Sequence, residues 1–155
     1  MPVAVAGAAL ALSACQTQSP IQTDVAYVAA DGVPVDLGAV QIRDLVVISG
    51  GKDKAGVLSA SVSNTSGEAQ RIAFALPKAQ PVYAEAPAHS ERRLSGATQV
   101  QLPAVPVNAG DVVRLTIQSP GARQAVVVVP VLSASGYYAS MSPTNAPTAS
   151  ETTAP

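Results

Sequence analysis

The stretch Val57-Leu58-Ser59-Ala60-Ser61-Val62-Ser63 alternates without a break, with Val57, Ser59, Ser61 and Ser63 on one side and Leu58, Ala60 and Val62 on the other. A period of two marks a strand that lays one face on a core. Asn64-Thr65-Ser66-Gly67 follows. Asn and Ser side chains bond nearby backbone and Gly tolerates positive φ, so this tetrad is a turn. Arg71 to Leu76 then places Ile72, Phe74 and Leu76 on one face. Strand, turn and strand in close succession predict antiparallel pairing.

The same grammar extends outward. Val40 to Ser49 carries Val40, Ile42, Leu45, Val46, Val47 and Ile48, and Gly50-Gly51-Lys52-Asp53 ends it. Strands are also expected over Gln99 to Leu102, Val112 to Gln118 and Gln124 to Leu132. In the second of these Val113, Leu115 and Ile117 alternate with Val112, Arg114 and Thr116. The valines Val126 to Val129 predict a strand buried on both faces or at a sheet centre. Pro77 to Ser95 is irregular and reads as a long loop with a short strand near Val82-Tyr83, the kind of segment that carries function. No window holds a capped helical period. The expected fold is all-β, an Ig-like antiparallel β-sandwich of about seven strands.

Composition agrees. The chain has 155 residues, enough for one ordinary domain. Aromatics are 3% and Trp is absent, so the core must come from Val, Leu, Ile and Ala. Charged residues are 12% and the net charge is -1, which offers nucleic acid no electrostatic footprint. One cysteine excludes an internal disulfide.

That cysteine lies in a motif. Val3 to Leu12 is apolar, too short to span a bilayer and of the right length for a signal-peptide core. It ends in Leu12-Ser13-Ala14-Cys15, which resembles the bacterial lipobox. The resemblance implies cleavage before Cys15 and a thioether-linked diacylglycerol on its sulfur, with acylation (palmitate among the acyl groups) of the new amino terminus. Two or three acyl chains anchor stably where one does not. No basic residue precedes Arg43, so the charged start of such a signal is expected upstream of Met1. The organisation expected is a signal peptide over residues 1–14, a lipidated tether over 15–24, the sandwich over 25–134, and a Ser/Thr/Pro/Ala-rich tail over 135–155. Tether and tail have too few large apolar groups to offset ordering entropy and are expected to be disordered.

Further segments carry a family resemblance. Tyr27-Val28-Ala29-Ala30-Asp31-Gly32-Val33, Gly38-Ala39-Val40-Gln41-Ile42-Arg43-Asp44-Leu45, Val62-Ser63-Asn64-Thr65 and Val128-Val129-Pro130-Val131-Leu132 … Tyr138-Ala139, with the lipobox, resemble the small actinobacterial lipoproteins of the LpqE-like type. This implies a lipid-anchored protein on the extracytoplasmic face of the cell membrane, with an Ig-like sandwich. Its partners would be the membrane, through the diacylglycerol on Cys15, and another envelope protein or a wall component. A monomer without cofactor is the default. Gly110-Asp111-Val112-Val113-Arg114-Leu115-Thr116-Ile117 and Val127-Val128-Val129-Pro130-Val131 also look like the last two strands of PCuAC-type periplasmic copper chaperones. Those bind Cu(I) through spaced His and Met ligands. Here His89 is the single His, and Met141 is the one Met after the signal, so the ligand set is not carried over.

Catalysis finds little support. With Cys15 assigned to lipid, a serine hydrolase would need His89 as base, and no Gly-x-Ser-x-Gly elbow exists. The acids Asp31, Asp36, Asp44, Asp53, Glu68, Glu85, Glu91 and Asp111 are scattered, with Asp24 and Glu151 towards the ends. Asp31 and Asp36 invite a calcium reading without a loop motif. Arg71 with Arg92-Arg93 is a candidate basic patch, with a solvated loop as the plain alternative. Asn64-Thr65-Ser66 matches a glycosylation acceptor, weakened by the bacterial context. The expectation is therefore a non-catalytic structural or interaction module. The alternative is a small-ligand or metal-trafficking protein derived from a copper-chaperone-like sandwich, with a pocket lined by residues 77–98.

Overall fold

The computed structural model describes residues 31–143. Nine strands run in the order β1 (Val33–Leu37), β2 (Val40–Ser49), β3 (Lys54–Asn64), β4 (Gln70–Ala75), β5 (Val82–Ala86), β6 (Ser90–Arg93), β7 (Val100–Val105), β8 (Val112–Gln118) and β9 (Ala125–Leu132). One layer is built on β2 and β3, with β1 on the outer edge of β2, and β6 then β7 along the outer edge of β3. The other has the order β5-β4-β8-β9. All these pairings are antiparallel. A short parallel pairing of β2 with β9, Val47 opposite Val131 and Ile48 opposite Leu132, joins the layers along one side into a near-barrel.

The all-β sandwich expected from sequence is observed, with two more strands and that one parallel pair. Pro77 to Ser95 is not a long loop. It contains β5 and β6, and β5 pairs along its whole length with β4. The prolines at 77, 81 and 87 fall outside the two strands, which leaves their ladders intact.

Burial in β2 explains how one strand serves two layers. Val40 and Ile42 face the main core, and so do Leu45 and Val47. The inward positions thus change from even to odd. A register shift between Arg43 and Val46 causes it, and Asp44 within it has φ +54°. An extra residue inserted in one strand of a pair reverses every side chain beyond it. Asp44 is held by its own carboxylate, whose Oδ1 accepts the Gly32 N–H at 3.0 Å. Gly32 lies so close to the Asp44–Leu45 peptide that a Cβ there would overlap it.

Beyond the bulge Val46 and Ile48 face away from the main core, yet both are fully buried. With Val57 and Tyr138 they form a second apolar cluster, against which Leu132, Ala134 and Met141 pack. The cover is the chain after β9, including a 3-10 turn at Gly136–Tyr138, residues placed by sequence in the tail. Two segments are therefore buried on both faces, β2 from Leu45 to Ile48 and β3 from Val57 to Ala60, so the half-buried strand expected over Val57 to Ser63 is half-buried only beyond Ala60. Of the two expectations for β9, a place inside the strand order is observed, between β8 and β2, and burial on both faces is not, since Val129 and Val131 are buried while Val126 and Val128 are 60% and 52% exposed.

Gly32→Ala should lower the unfolding free energy by about 1–3 kcal/mol in denaturant melts, because the methyl group meets backbone that cannot yield without undoing the bulge.

Candidate functional site

Cys15 and its preceding Leu12, Ser13 and Ala14 lie outside the described residues. Within the described residues, the sequence candidates occupy the two ends of the sandwich and its sides.

One end gathers the β1–β2, β3–β4, β5–β6 and β8–β9 turns. Thr65 N–H donates to Ala39 O at 2.9 Å and His89 N–H to Ser66 O at 3.0 Å. Asn64, 1% exposed, organises this end. Its Nδ2 donates to the carbonyls of Glu68, Ala86 and Pro87 at 2.8–3.0 Å, and its Oδ1 accepts from Ser66 N and Oγ at 3.0 and 2.7 Å. The amide nitrogen that would carry a glycan is thus buried and fully engaged, so the acceptor motif at Asn64 is a structural turn.

His89 stands on the β5–β6 turn with φ +48°. It shares a shallow depression with Asn64, Ser90 and Glu91. Base, hydroxyl and carboxylate are neighbours here, but their hydrogen bonds lead elsewhere. Ser90 Oγ donates to Pro87 O at 2.7 Å, and Glu91 accepts from Ser61 Oγ at 2.7 Å. This is not the relay that a serine nucleophile requires.

A cleft of about 380 Å³ opens at the same end, between the β1–β2 turn and the β8–β9 turn. Asp36, Gln70, Ser119 and Arg123 supply its polar lining. Asp36 pairs with Arg43 at 2.8 Å. Gln70 Nε2 donates to Ser66 Oγ at 3.3 Å, and its buried Oε1 has no partner among the described residues. Sequence reasoning missed this cleft because its walls come from turns far apart in the chain. The pocket expected within residues 77–98 is a smaller gap of about 230 Å³, bounded by Tyr83, Glu85, Arg92 and Gln99.

The other candidates separate. Asp31 precedes β1 and Asp36 lies within it, and neither belongs to a cluster able to hold a metal ion among the described residues. Arg71 stacks on Tyr83 with 3.9 Å from its guanidinium carbon to the ring centroid, and lies 3.7 Å from Glu85. Arg92 and Arg93 are consecutive on strand β6, so they project to opposite faces, and Arg93 donates to Tyr137 Oη at 3.0 Å. The three arginines form no common patch.

No family model matches the chain, and no curated protein matches it in sequence. Solved structures do. The apo PCuAC domain from PmoF1 superposes with a TM-score of 0.54 at 14% identity, covering 65% of this chain and 99% of that one. The apo PmoF2 PCuAC domain gives 0.51 at 15% identity, covering 67% and 98%. The chain has a PCuAC-like fold. At these identities the likeness concerns architecture alone.

The PCuAC-like sandwich allows a direct test of a soft-metal site. His89 is beside Gly67 at the Asn64 end of β3, whereas Met141 packs on the cluster containing Val57 near the other end. Seven residues of strand, at ~3.3 Å each, place these positions on the order of 20 Å apart. Ligands of one copper ion lie within a few Å of it, so His89 and Met141 cannot share one. Among the described residues no three His, Cys, Asp or Glu side chains cluster to hold a metal.

At the far end Tyr138 Oη is 3.4 Å from Asp31 Oδ2. Burial raises the phenol pKa above its ordinary value, and the charges of Asp44 and Asp31 raise it further. A phenol held neutral by the fold contributes stability that is complete below the ordinary tyrosine range and declines as pH rises through it. Phenolate absorbance should show a late step that Tyr138→Phe removes, and unfolding free energy should fall over that alkaline window in the parent only.

Proposed function

We propose that this chain is a cell-envelope lipoprotein, held by a diacylglycerol on Cys15 at the extracytoplasmic face of the cell membrane, and that its PCuAC-like sandwich is a non-catalytic interaction module. The observation that carries the second half is the separation of His89 from Met141 on an architecture shared with PCuAC domains. Fold and function are separable, because function depends on the donors that the fold displays. The first half is supported by Leu12-Ser13-Ala14-Cys15 and the polar Gln16 to Thr23 that follows. The LpqE-like resemblance supports both.

The cleft at Asp36, Gln70, Ser119 and Arg123 favours a second reading, capture of a small polar ligand by the same anchored module. Its guanidinium suits a carboxylate and its amide oxygen an N–H donor.

Intact mass of the membrane-purified protein should correspond to cleavage before Cys15 plus acyl chains, and Cys15→Ala should leave the membrane fraction. An unmodified thiol on an uncleaved, soluble chain would reject the anchor. Competition titration with Cu(I) should show no stoichiometric site. Tight equimolar binding abolished by His89→Ala would reject the interaction-module reading.

A further inference from the structure

Along three strands the inward side chains are apolar until the Asn64 end, where each series turns polar. On β3, Leu58, Ala60 and Val62 lead to Asn64. On β4, Phe74 and Ile72 lead to Gln70. On β8, Val113, Leu115 and Ile117 lead to Ser119, which is 2% exposed. Alternation directs these last positions into the space between the layers, where an end closed by packing alone would be apolar. Asn64 is satisfied by the turns around it. Gln70 is not.

The orientation of the Gln70 amide is fixed by its neighbour. Ser66 Oγ has one proton and lies 2.7 Å from Asn64 Oδ1 and 3.0 Å from the Glu68 carbonyl, both acceptors. Its third neighbour must therefore donate, and that neighbour is Gln70 Nε2 at 3.3 Å. Oε1 is left as the unpartnered amide atom, on a residue that lines the cleft. Buried acceptors in folded proteins are paired with few exceptions, so the cleft holds a place for an N–H that the described residues do not supply.

Charge in the cleft is uneven. Asp36 is matched by Arg43 at 2.8 Å, whereas Arg123 makes no ion pair among the described residues. The lining thus carries one unmatched positive charge and favours a singly charged anion. Leu37, Val40, Pro120 and Ala122 give it an apolar side, and its volume of about 380 Å³ lies at the small end of ligand sites.

We propose that the cleft binds the carboxyl-terminal residue of a peptide that ends in a small aliphatic side chain. One such residue meets all three features. Its carboxylate pairs with Arg123, its amide N–H donates to Gln70 Oε1, and its side chain lies against Leu37, Val40 and Ala122. The Ser119 hydroxyl, in the same cleft, donates to the second carboxylate oxygen. A free amino acid suits the site less well. Its ammonium makes the ligand neutral and finds no unmatched carboxylate among the lining residues. The rest of the peptide leaves through the open mouth. This inference rests on the reading of the cleft as a small-polar-ligand site and names the ligand.

NMR titration of the full chain carrying Cys15→Ser tests it, with acetyl-alanyl-alanine as the probe. Saturable binding is expected with Kd of about 1 mM or below, shifting the Gln70 side-chain amide and the turn from Ser119 to Arg123. Two analogues should each bind about tenfold more weakly or worse: the terminal carboxamide, and the depsipeptide with an ester oxygen in place of the last N–H. Arg123→Gln should weaken the parent peptide by a similar factor with circular dichroism unchanged, because Arg123 is exposed. Gln70→Met should bring peptide and depsipeptide to the same affinity. Alanine or acetate binding as tightly as the acetyl dipeptide, or a depsipeptide bound as well as the peptide, overturns this inference and leaves the polar-ligand reading standing. No saturable binding of any probe up to roughly 20 mM overturns both.

Discussion

The bulge at Asp44 sets the side-chain parity of β2, and most of the architecture is referred to that parity. With φ +54° and its carboxylate on the Gly32 N–H, Asp44 is fixed in a region that non-glycine residues seldom occupy. Along one edge β2 pairs with β1 from Val40 to Leu45, across the bulge, and then with β9 at Val47 and Ile48. Before the bulge, one face is buried, and after it, both are. Without the extra residue Leu45 and Val47 would turn from the main core, and Val46 and Ile48 would enter it. The parallel seam that joins the two layers would lose its register.

Packing rather than charge sustains this arrangement. The ion pairs Asp36–Arg43 and Arg71–Glu85 are exposed, and such pairs contribute about 0–1 kcal/mol each. The buried polar side chains are few, and the largest network, around Asn64, fastens turns to one another. A low-charge surface follows, on which recognition relies on shape, backbone groups and a small number of placed cations.

Much of the fold was legible in the sequence wherever one face is wet. The alternation in β8 reports its burial closely, since a period of two survives with solvent on one side, whereas in β3 it does so only beyond Ala60, because Val57 and Ser59 are covered as well. It failed in uniform apolar runs. Leu45 to Ile48 and Val126 to Val129 look equivalent as sequence, yet the first is covered on both faces and the second on one. The difference lies in the segment around Tyr138, whose docking no local pattern announces. The bulge was hidden for a related reason, because a parity change inside an apolar run leaves the run apolar. Pro77 to Ser95 misled because proline density implied a loop, whereas the prolines fall between strands. Of the candidate sites, the lipobox is legible only in sequence. The cleft is a product of tertiary structure.

The contact between Asp31 and Tyr138 brings the first described residue against the last described turn. The fold is nearly a closed circle, entered and left at one pole. A chain reopened in the β8–β9 turn and spliced from Met141 to Asp31 would retain every strand pairing. The two ends of the described chain thus lie at the pole opposite the Asn64 turns and their cleft.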